Sequence, residues 1–329
     1  MPKITVALSV YNVSSYIRGA VDSILSQTFK DFELLCIDDA STDDTYAILQ
    51  EYALKESRIR LFRQEYNQGL SVSRNLAIQE ALGEYIVMID GDDLFSNTML
   101  EVAYMRAIET NADMVLWDYI PFSEESEIHT RCNKPSSLLS VTPHDKIQLI
   151  RRPAFSATRM TKLSVLRDLN ICFPKGMTKQ DIPVHWKLVT NLERIELIPE
   201  YFLYYRQQPN STSSKKGRSV FSLAYVMDIT KQQLEEDGLY SMYKDEFLRS
   251  RLSLLFGMYD YVLPELKSEA LTILIRRLGN DEYNYIENSQ NELTGCVRDF
   301  YNMLMGSWIS KVKYNSFMFL RTAYRKLVK

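Results

Sequence analysis

The sequence predicts an α/β protein, with a mostly parallel, doubly wound sheet flanked by helices and then an all-helical C-terminal region. Three observations carry this. Short apolar runs rich in β-branched residues recur at 4–10, 32–37, 59–64 and 85–89, the pattern of strands buried on both faces. Helical spacing of apolar residues fills the intervals, giving a βαβαβαβ order whose crossovers set the strands parallel. Beyond a polar stretch at 208–218 (QPNSTSSKKGR), strand signals give way to Leu, Met and Tyr at helical spacing.

Taken in order, the first strand leads into a helix whose stripe is Tyr16, Ile17, Ala20, Val21, Ile24 and Leu25, with Ser14 or Ser15 as its cap. The second strand stops at Asp38-Asp39-Ala40-Ser41-Thr42-Asp43, where Thr42 or Asp43 caps a helix carrying Tyr46, Ile48, Leu49 and Tyr52. After the third strand, Asn67-Gln68-Gly69 turns into a helix through Ala81. The fourth strand stops at Asp90-Gly91-Asp92-Asp93. Farther on, 113–119 and 195–203 read as strands and 143–151 as a helix. These readings place one domain over 1–214 and a helical one over 215–329.

The length of 329 residues exceeds one average domain, and 46% hydrophobic residues suffice for a substantial core. A net charge of -3 argues against nucleic acid as a partner, which calls for a basic excess. Four cysteines (36, 132, 172, 296) match no metal-ligand spacing and imply free thiols in a reducing compartment. The N-terminus carries no signal peptide pattern, and no apolar stretch approaches the roughly 18 residues of a membrane span. The expectation is a cytoplasmic protein, peripheral at most to the inner face of a membrane. The stretch 306–329 holds Lys311, Lys313, Arg321, Arg325, Lys326 and Lys329 among Trp308, Phe317, Phe319 and Tyr324. It reads first as a packing or homo-oligomer contact and second as a surface for anionic lipid.

In doubly wound sheets ligands bind beyond the carboxyl ends of the strands. Those ends carry Ser9-Val10-Tyr11-Asn12, Asp38-Asp39 and the acidic cluster. Clustered carboxylates repel one another unless a cation sits among them, and Mg²⁺ or Mn²⁺ favours oxygen ligands and bridges to phosphate. Gly91 permits close approach of backbone or ligand. By itself the cluster reads equally well as a solvated turn; its place at the end of a buried strand, facing two other polar strand ends, favours a site. The sequence has no Walker A motif and no dinucleotide-binding glycine fingerprint, which argues against an ATPase or a nicotinamide enzyme.

The runs ITVALSVYN (4–12), Ser26-Gln27-Thr28-Phe29 through Asp38-Asp39-Ala40-Ser41-Thr42-Asp43, Asn67-Gln68-Gly69-Leu70-Ser71 with Arg74-Asn75, and Gly83-Glu84-Tyr85-Ile86 leading to Asp90-Gly91-Asp92-Asp93 resemble glycosyltransferase family 2 in order and spacing. The resemblance covers residues 1 to about 214. It implies a GT-A fold, a UDP-sugar donor (glucose or galactose first), inversion at the anomeric carbon, and a glycan acceptor on a protein or lipid carrier. Bacterial cell-surface polysaccharide or adhesin glycosylation is the setting it suggests. By this resemblance Ser9, Tyr11 and Asn67 line the base and ribose pocket, and Asp39 accepts from the uracil ring. Arg74 lies near the base or diphosphate, Asp90 with Gly91 meets the ribose, Asp92 ligates the metal, and Asp93 stands behind it or beside it. The family often has Pro where this chain has Ser9.

Transfer to a hydroxyl needs a base opposite the leaving group. In Thr178-Lys179-Gln180-Asp181-Ile182-Pro183-Val184-His185-Trp186 the resemblance assigns that role to Asp181, with Gln180 replacing the family's usual Glu. His185 lies one helical turn on and can share its face; it reads first as a histidine held behind the site, and otherwise as touching the acceptor or orienting the base. Trp186 stacks on an acceptor sugar or belongs to the core. Arg206, before the polar 210–213 segment, suits closure over the diphosphate, with a surface ion pair as the alternative. Trp117 and Asp118 are candidates for the donor-sugar or acceptor pocket. Two competing readings are a metal-dependent nucleotidyltransferase, which calls for a Gly-rich loop after the first strand, and a non-catalytic glycan- or nucleotide-binding subunit. Intact Asp92 and Asp181 argue against the latter.

Overall fold

Every residue of β1 (Ile4–Val10) and β2 (Phe32–Asp38) is buried, as befits strands covered on both faces. β1 pairs in parallel with β2 on one side and β4 (Tyr85–Asp90) on the other, and β2 pairs in parallel with β3 (Ile59–Arg63). The crossover helices α1 (Ile17–Leu25), α2 (Thr45–Ala53) and α3 (Leu70–Glu80) connect them. α1 turns Ile17, Ala20, Val21 and Ile24 into the core, the stripe its spacing predicts. The structure is a computed structural model that describes residues 1–208, 216–288, 293–306 and Ser316. The 210–213 segment and the named basic and aromatic residues of the tail lie outside the described residues.

Neither Ser14 nor Ser15 caps α1. Instead the Ser14 N–H donates to Asp43 Oδ2 (3.0 Å), while Asp43 Oδ1 accepts the Thr45 N–H (3.0 Å) at the start of α2. One carboxylate therefore ties two helix starts together. Burial alone would raise its pKa, but the bonds from Thr45 and Ser14 outweigh that and bring it down to about 2.

The second half of the sheet departs from the sequence reading. β6 (Met114–Phe122) runs parallel to β8 (Ile195–Arg206), but β7 (Arg159–Lys162) is inserted between β4 and β6, antiparallel to both. β5 (Leu94–Phe95) pairs antiparallel with β8 at the edge, so the order is β3-β2-β1-β4-β7-β6-β8-β5. Strands of two and four residues are too short for alternation to show. They form because the buried backbone of their neighbours needs hydrogen-bond partners. The helices of this half are α4 (Met99–Thr110), α5 (Ser126–Cys132), α6 (Lys146–Ile150), α7 (Leu163–Asp168) and α8 (Asp181–Asn191). The helix expected over 143–151 is shorter, because Asp145 caps it by accepting the Gln148 N–H (2.9 Å).

The chain divides into two compact units, Met1–Ser214 and Lys215–Lys329. The second comprises α9 (Ser222–Glu236), α10 (Tyr240–Tyr261), α11 (Lys267–Ile275), α12 (Asn280–Glu287) and α13 (Gly295–Leu304), with no strand among its described residues. Its own core includes Leu252, Leu255, Phe256, Phe300 and Tyr301. Among the described residues no helix is long and apolar enough to cross a membrane.

Gly83 is where the α3–β4 turn presses on β1. A Cβ there would stand 2.4 Å from the Thr5 nitrogen and 2.7 Å from the Ile4 carbonyl carbon. Thr5 Oγ1 accepts the Gly83 N–H and donates to Glu33, so the contact is with fixed backbone and a held side chain. Gly83→Ala is expected to destabilise the fold by about 2–3 kcal/mol, the scale of overpacking. A denaturant midpoint equal to that of the wild type would contradict this packing.

Candidate functional site

The site forms where the parallel strands end. The sheet register sets Ser9 beside Asp90 and Val10 beside Asp38. Ser9 is buried, whereas the following Tyr11 is exposed. Asn12 and Ala40, in the loops after β1 and β2, adopt left-handed backbone (φ 52° and 60°), as does Lys179 (φ 62°) two residues before Asp181. Such backbone is costly for alanine and lysine and persists only where the surroundings impose it. Here the Asn12 N–H donates to Ser41 Oγ (3.0 Å), and Asn12 Oδ1 accepts the Thr42 N–H (2.8 Å).

Asp39 is buried and heavily engaged. Oδ1 accepts the Gln68 N–H (2.7 Å) and Gln64 Nε2 (2.8 Å), and Oδ2 accepts the Gly69 N–H (2.8 Å). Burial pushes its pKa up against the pull of those N–H groups. A carboxylate has about four acceptor positions; three are taken, so Asp39 shapes the turn into α3 and keeps about one for a ligand. Asn67 is exposed and reaches the Asp39 carbonyl (3.3 Å).

Arg74, fully buried on α3, is the hub. Nη1 donates to both oxygens of Asp181 (2.8 and 2.9 Å), and Nη2 donates to both oxygens of Asp90 (3.0 and 3.3 Å). The guanidinium lies 5.4 Å from the centre of the Phe173 ring. Two neighbours on α3 bring that ring in: Asn75 exchanges hydrogen bonds with the Phe173 backbone, and Ser71 donates to the Pro174 carbonyl. Burial would raise the pKa of Asp181, but Arg74 and Ser156 hold it below the usual range. Asp181 is therefore ionised at neutral pH.

The rest of the acidic cluster follows directly on Asp90. Burial first, then the Asp90 charge, pushes Asp92 up to about 6. Asp93 is buried more deeply and goes well above the carboxylate range for the same reasons. Gln208 donates to Asp92 Oδ2 (2.8 Å), and the Arg206 N–H donates to Asp93 Oδ1 (2.9 Å). The Arg206 guanidinium donates to the Asp92 carbonyl (2.9 Å) and pairs with Glu125 (3.1 Å), stacked over Tyr16 and Phe122. It braces the acidic turn instead of standing free for a phosphate. Gly91 is required by protein packing, because a Cβ there would lie 2.7 Å from Val10 Cγ1.

Four weaker candidates are buried and engaged by protein groups. Trp117 is buried against Phe202 and donates to the Ala157 carbonyl (3.0 Å), so it belongs to the core. The Asp118 carboxylate is occupied by Ser136, Ser137 and Arg152 and pins the 136–137 segment, although it borders a cleft lined by Tyr119 and Tyr201. Trp186 is buried in α8. His185 is buried too, and burial drives its pKa down to about 4, leaving it neutral. The sequence reading missed Ser156, Arg159 and Gln208. Ser156 and Arg159 lie in FSATRM, which matches no motif, and only the insertion of β7 brings them under Asp181.

Residues 5–167 match the family described as Glycosyl transferase family 2. The glycosyltransferase GlyA of Streptococcus pneumoniae is 38% identical over 122 residues, 37% of this chain but 17% of GlyA. The cholesterol galactosyltransferase of Borreliella burgdorferi is 28% identical over 262 residues, 75% of this chain and 73% of that protein. Among solved structures, S. aureus TarS 1–349 in complex with UDP-GlcNAc has a TM-score of 0.73 at 21% identity, covering 98% of this chain and 92% of TarS 1–349. At that identity the likeness shows a shared GT-A fold.

Arg74→Met removes the partner of two carboxylates at once. It is expected to cost about 3 kcal/mol at pH 7, the low end for breaking a buried ion pair, because Asp90 stays partly open to water. The Asp181 pKa is depressed in the folded state, so this stabilisation is present above the unfolded-state carboxylate pKa and is lost as pH falls. Urea denaturation of wild type and variant should therefore converge in acid. A gap that is constant with pH would refute the pairing.

Proposed function

We propose, from the premise that this chain belongs to glycosyltransferase family 2 through its N-terminal unit, that it moves a hexose from a UDP-sugar to a glycan acceptor with inversion at the anomeric carbon. One observation carries the reading: a single buried guanidinium, Arg74, joins Asp90 at the end of β4 to Asp181 at the start of α8. A ribose-facing carboxylate and a base are thereby held in one frame. The UDP-GlcNAc bound by TarS and the galactosyl transfer named for the Borreliella relative support a UDP-hexose as the donor class.

In this reading Ser9, Tyr11, Asn67 and the remaining acceptor position of Asp39 receive the base and ribose, and Asp90 takes the ribose hydroxyls. The acceptor hydroxyl attacks the anomeric carbon on the face opposite the diphosphate. As the new C–O bond forms, the bond to the diphosphate breaks and its electron pair leaves with UDP. The hydroxyl proton passes to Asp181, which Arg74 keeps ionised and ready. The cleft bordered by Tyr119, Gln148, Arg152 and Tyr201 offers about 530 Å³ for part of a glycan carried on protein or lipid.

The acidic turn fits Mg²⁺ or Mn²⁺ as these ions usually bind, through one or two carboxylates with the remaining positions left for phosphate and water. Asp92 would hold it, with Asp93 behind. Among the described residues no three His, Cys, Asp or Glu side chains form a ready cage, so the diphosphate and water would have to supply the remaining ligands. When bound, the cation neutralises charge on the departing UDP.

Asp181→Asn should bind UDP normally in calorimetry while kcat falls by about 10²–10⁴, the usual contribution of a general base; transfer within a few-fold of wild type would place the base elsewhere. Adding Mn²⁺ to the UDP-saturated protein should raise the Tm of the wild type further and leave that of Asp92→Asn unmoved. Equal shifts in both proteins would end the metal assignment. A panel of UDP-glucose, UDP-galactose and UDP-GlcNAc, scored for UDP release, tests the donor class.

A further inference from the structure

We infer that Ser156, Arg159 and His185 form a buried positioning relay that fixes which oxygen of Asp181 faces the acceptor hydroxyl. The inference rests on Asp181 being the base. Ser156 lies on the short turn Ser156–Thr158 before β7, Arg159 opens β7, and His185 sits on α8 one turn after Asp181. All three are at most 5% exposed.

The direction of each hydrogen bond follows from what each group is able to donate. A guanidinium only donates. Arg159 Nη1 lies 3.4 Å from His185 Nδ1, so that nitrogen is the acceptor and the single ring proton sits on Nε2. Nε2 lies 3.0 Å from the Leu149 carbonyl, an acceptor, which requires the same tautomer. Arg159 Nη2 donates to Ser156 Oγ (3.0 Å), and the one Ser156 proton then goes to Asp181 Oδ1. The chain has one possible polarity, anchored on a main-chain carbonyl of α6.

The consequence lies at Asp181. Oδ1 receives both Ser156 and Arg74, while Oδ2 receives Arg74 alone. Oδ2 keeps the greater free capacity, so it is the oxygen that takes the acceptor proton. Arg74 by itself grips both oxygens from one side and leaves the carboxylate free to tilt; Ser156 supplies the second direction that stops it. The charges facing Asp181 are Arg74 from α3, with Asp90 beyond it, and Arg159 from β7, while His185 on its own helix is neutral. Arg159 makes no ion pair with a carboxylate among the described residues. A buried cation without one is costly, and holding Ser156 and His185 gives it a role that core packing does not.

The test is Ser156→Ala, which removes one oxygen. UDP affinity by calorimetry should be unchanged and kcat should fall about tenfold, the equivalent of one hydrogen bond to a charged group. The ionised form of Asp181 loses a donor, so the acid limb of kcat should move to higher pH. Arg159→Lys keeps the charge without the fork and should move the limb the same way, while Ser156→Thr keeps the hydroxyl and should restore it. A wild-type kcat and acid limb in Ser156→Ala would overturn the relay, and so would a lower kcat with an unmoved limb. Retained transfer in Asp181→Asn is a different failure, because it removes the base assignment itself.

Discussion

The first unit is organised around one buried guanidinium. Arg74 is removed from water on α3, and such a charge is tolerated only if paired. It takes its two partners from distant parts of the chain, Asp90 at the end of β4 and Asp181 at the start of α8. To deliver Asp181, the 173–174 segment must lie against α3, where Asn75 and Ser71 clamp its backbone. The arrangement is poor economy for stability, because desolvation offsets much of the attraction and Arg74 Nε is buried without a hydrogen-bond partner. What it secures is a defined geometry between two carboxylates.

Around that hub, the fold concentrates negative charge where it is least comfortable. Asp92 is pushed up by burial and by the Asp90 charge, and Asp93 by burial and by the charges of Asp92 and Asp90. The neighbouring cation does not neutralise them directly: Arg206 gives its backbone N–H to Asp93 and its side chain to the Asp92 carbonyl and Glu125. The turn is thus held rigid while its carboxylates stay under-compensated. An oxygen-seeking divalent ion bridging to a diphosphate would relieve that imbalance. The same economy recurs beneath Asp181, where Arg159 acts through a serine hydroxyl instead of an ion pair.

The parallel half of the sheet was legible because its signals are local. β1 to β4 and the stripe of α1 follow from apolar periodicity, and the polar strand ends that flank the site follow from where those runs stop. The helix caps were less legible. Asp43 serves two helix starts at once, and the Ser14 N–H is one of its donors, which no local rule anticipates. Trp117 and Asp118 read as pocket residues because they stand at the end of a strand; Trp117 instead packs on Phe202 in the core, while Asp118 pins the 136–137 segment at the border of a cleft.

By itself the sequence determined which residue types stand at the carboxyl ends of the parallel strands: Ser9, Asp39, Asp90 and the acids after it. Apolar runs and chain order suffice for that, since both are properties of neighbours along the chain. Only the tertiary structure decided what each of them touches. Arg74 and Asp181 are 107 positions apart, and Ser156 and Arg159 reach Asp181 only because β7 is inserted antiparallel beside β4. Arg206 and Asp39 turn inward to brace the loops that carry the site. Which donor satisfies which buried acceptor depends on packing in three dimensions, and that pairing is not written in any local pattern.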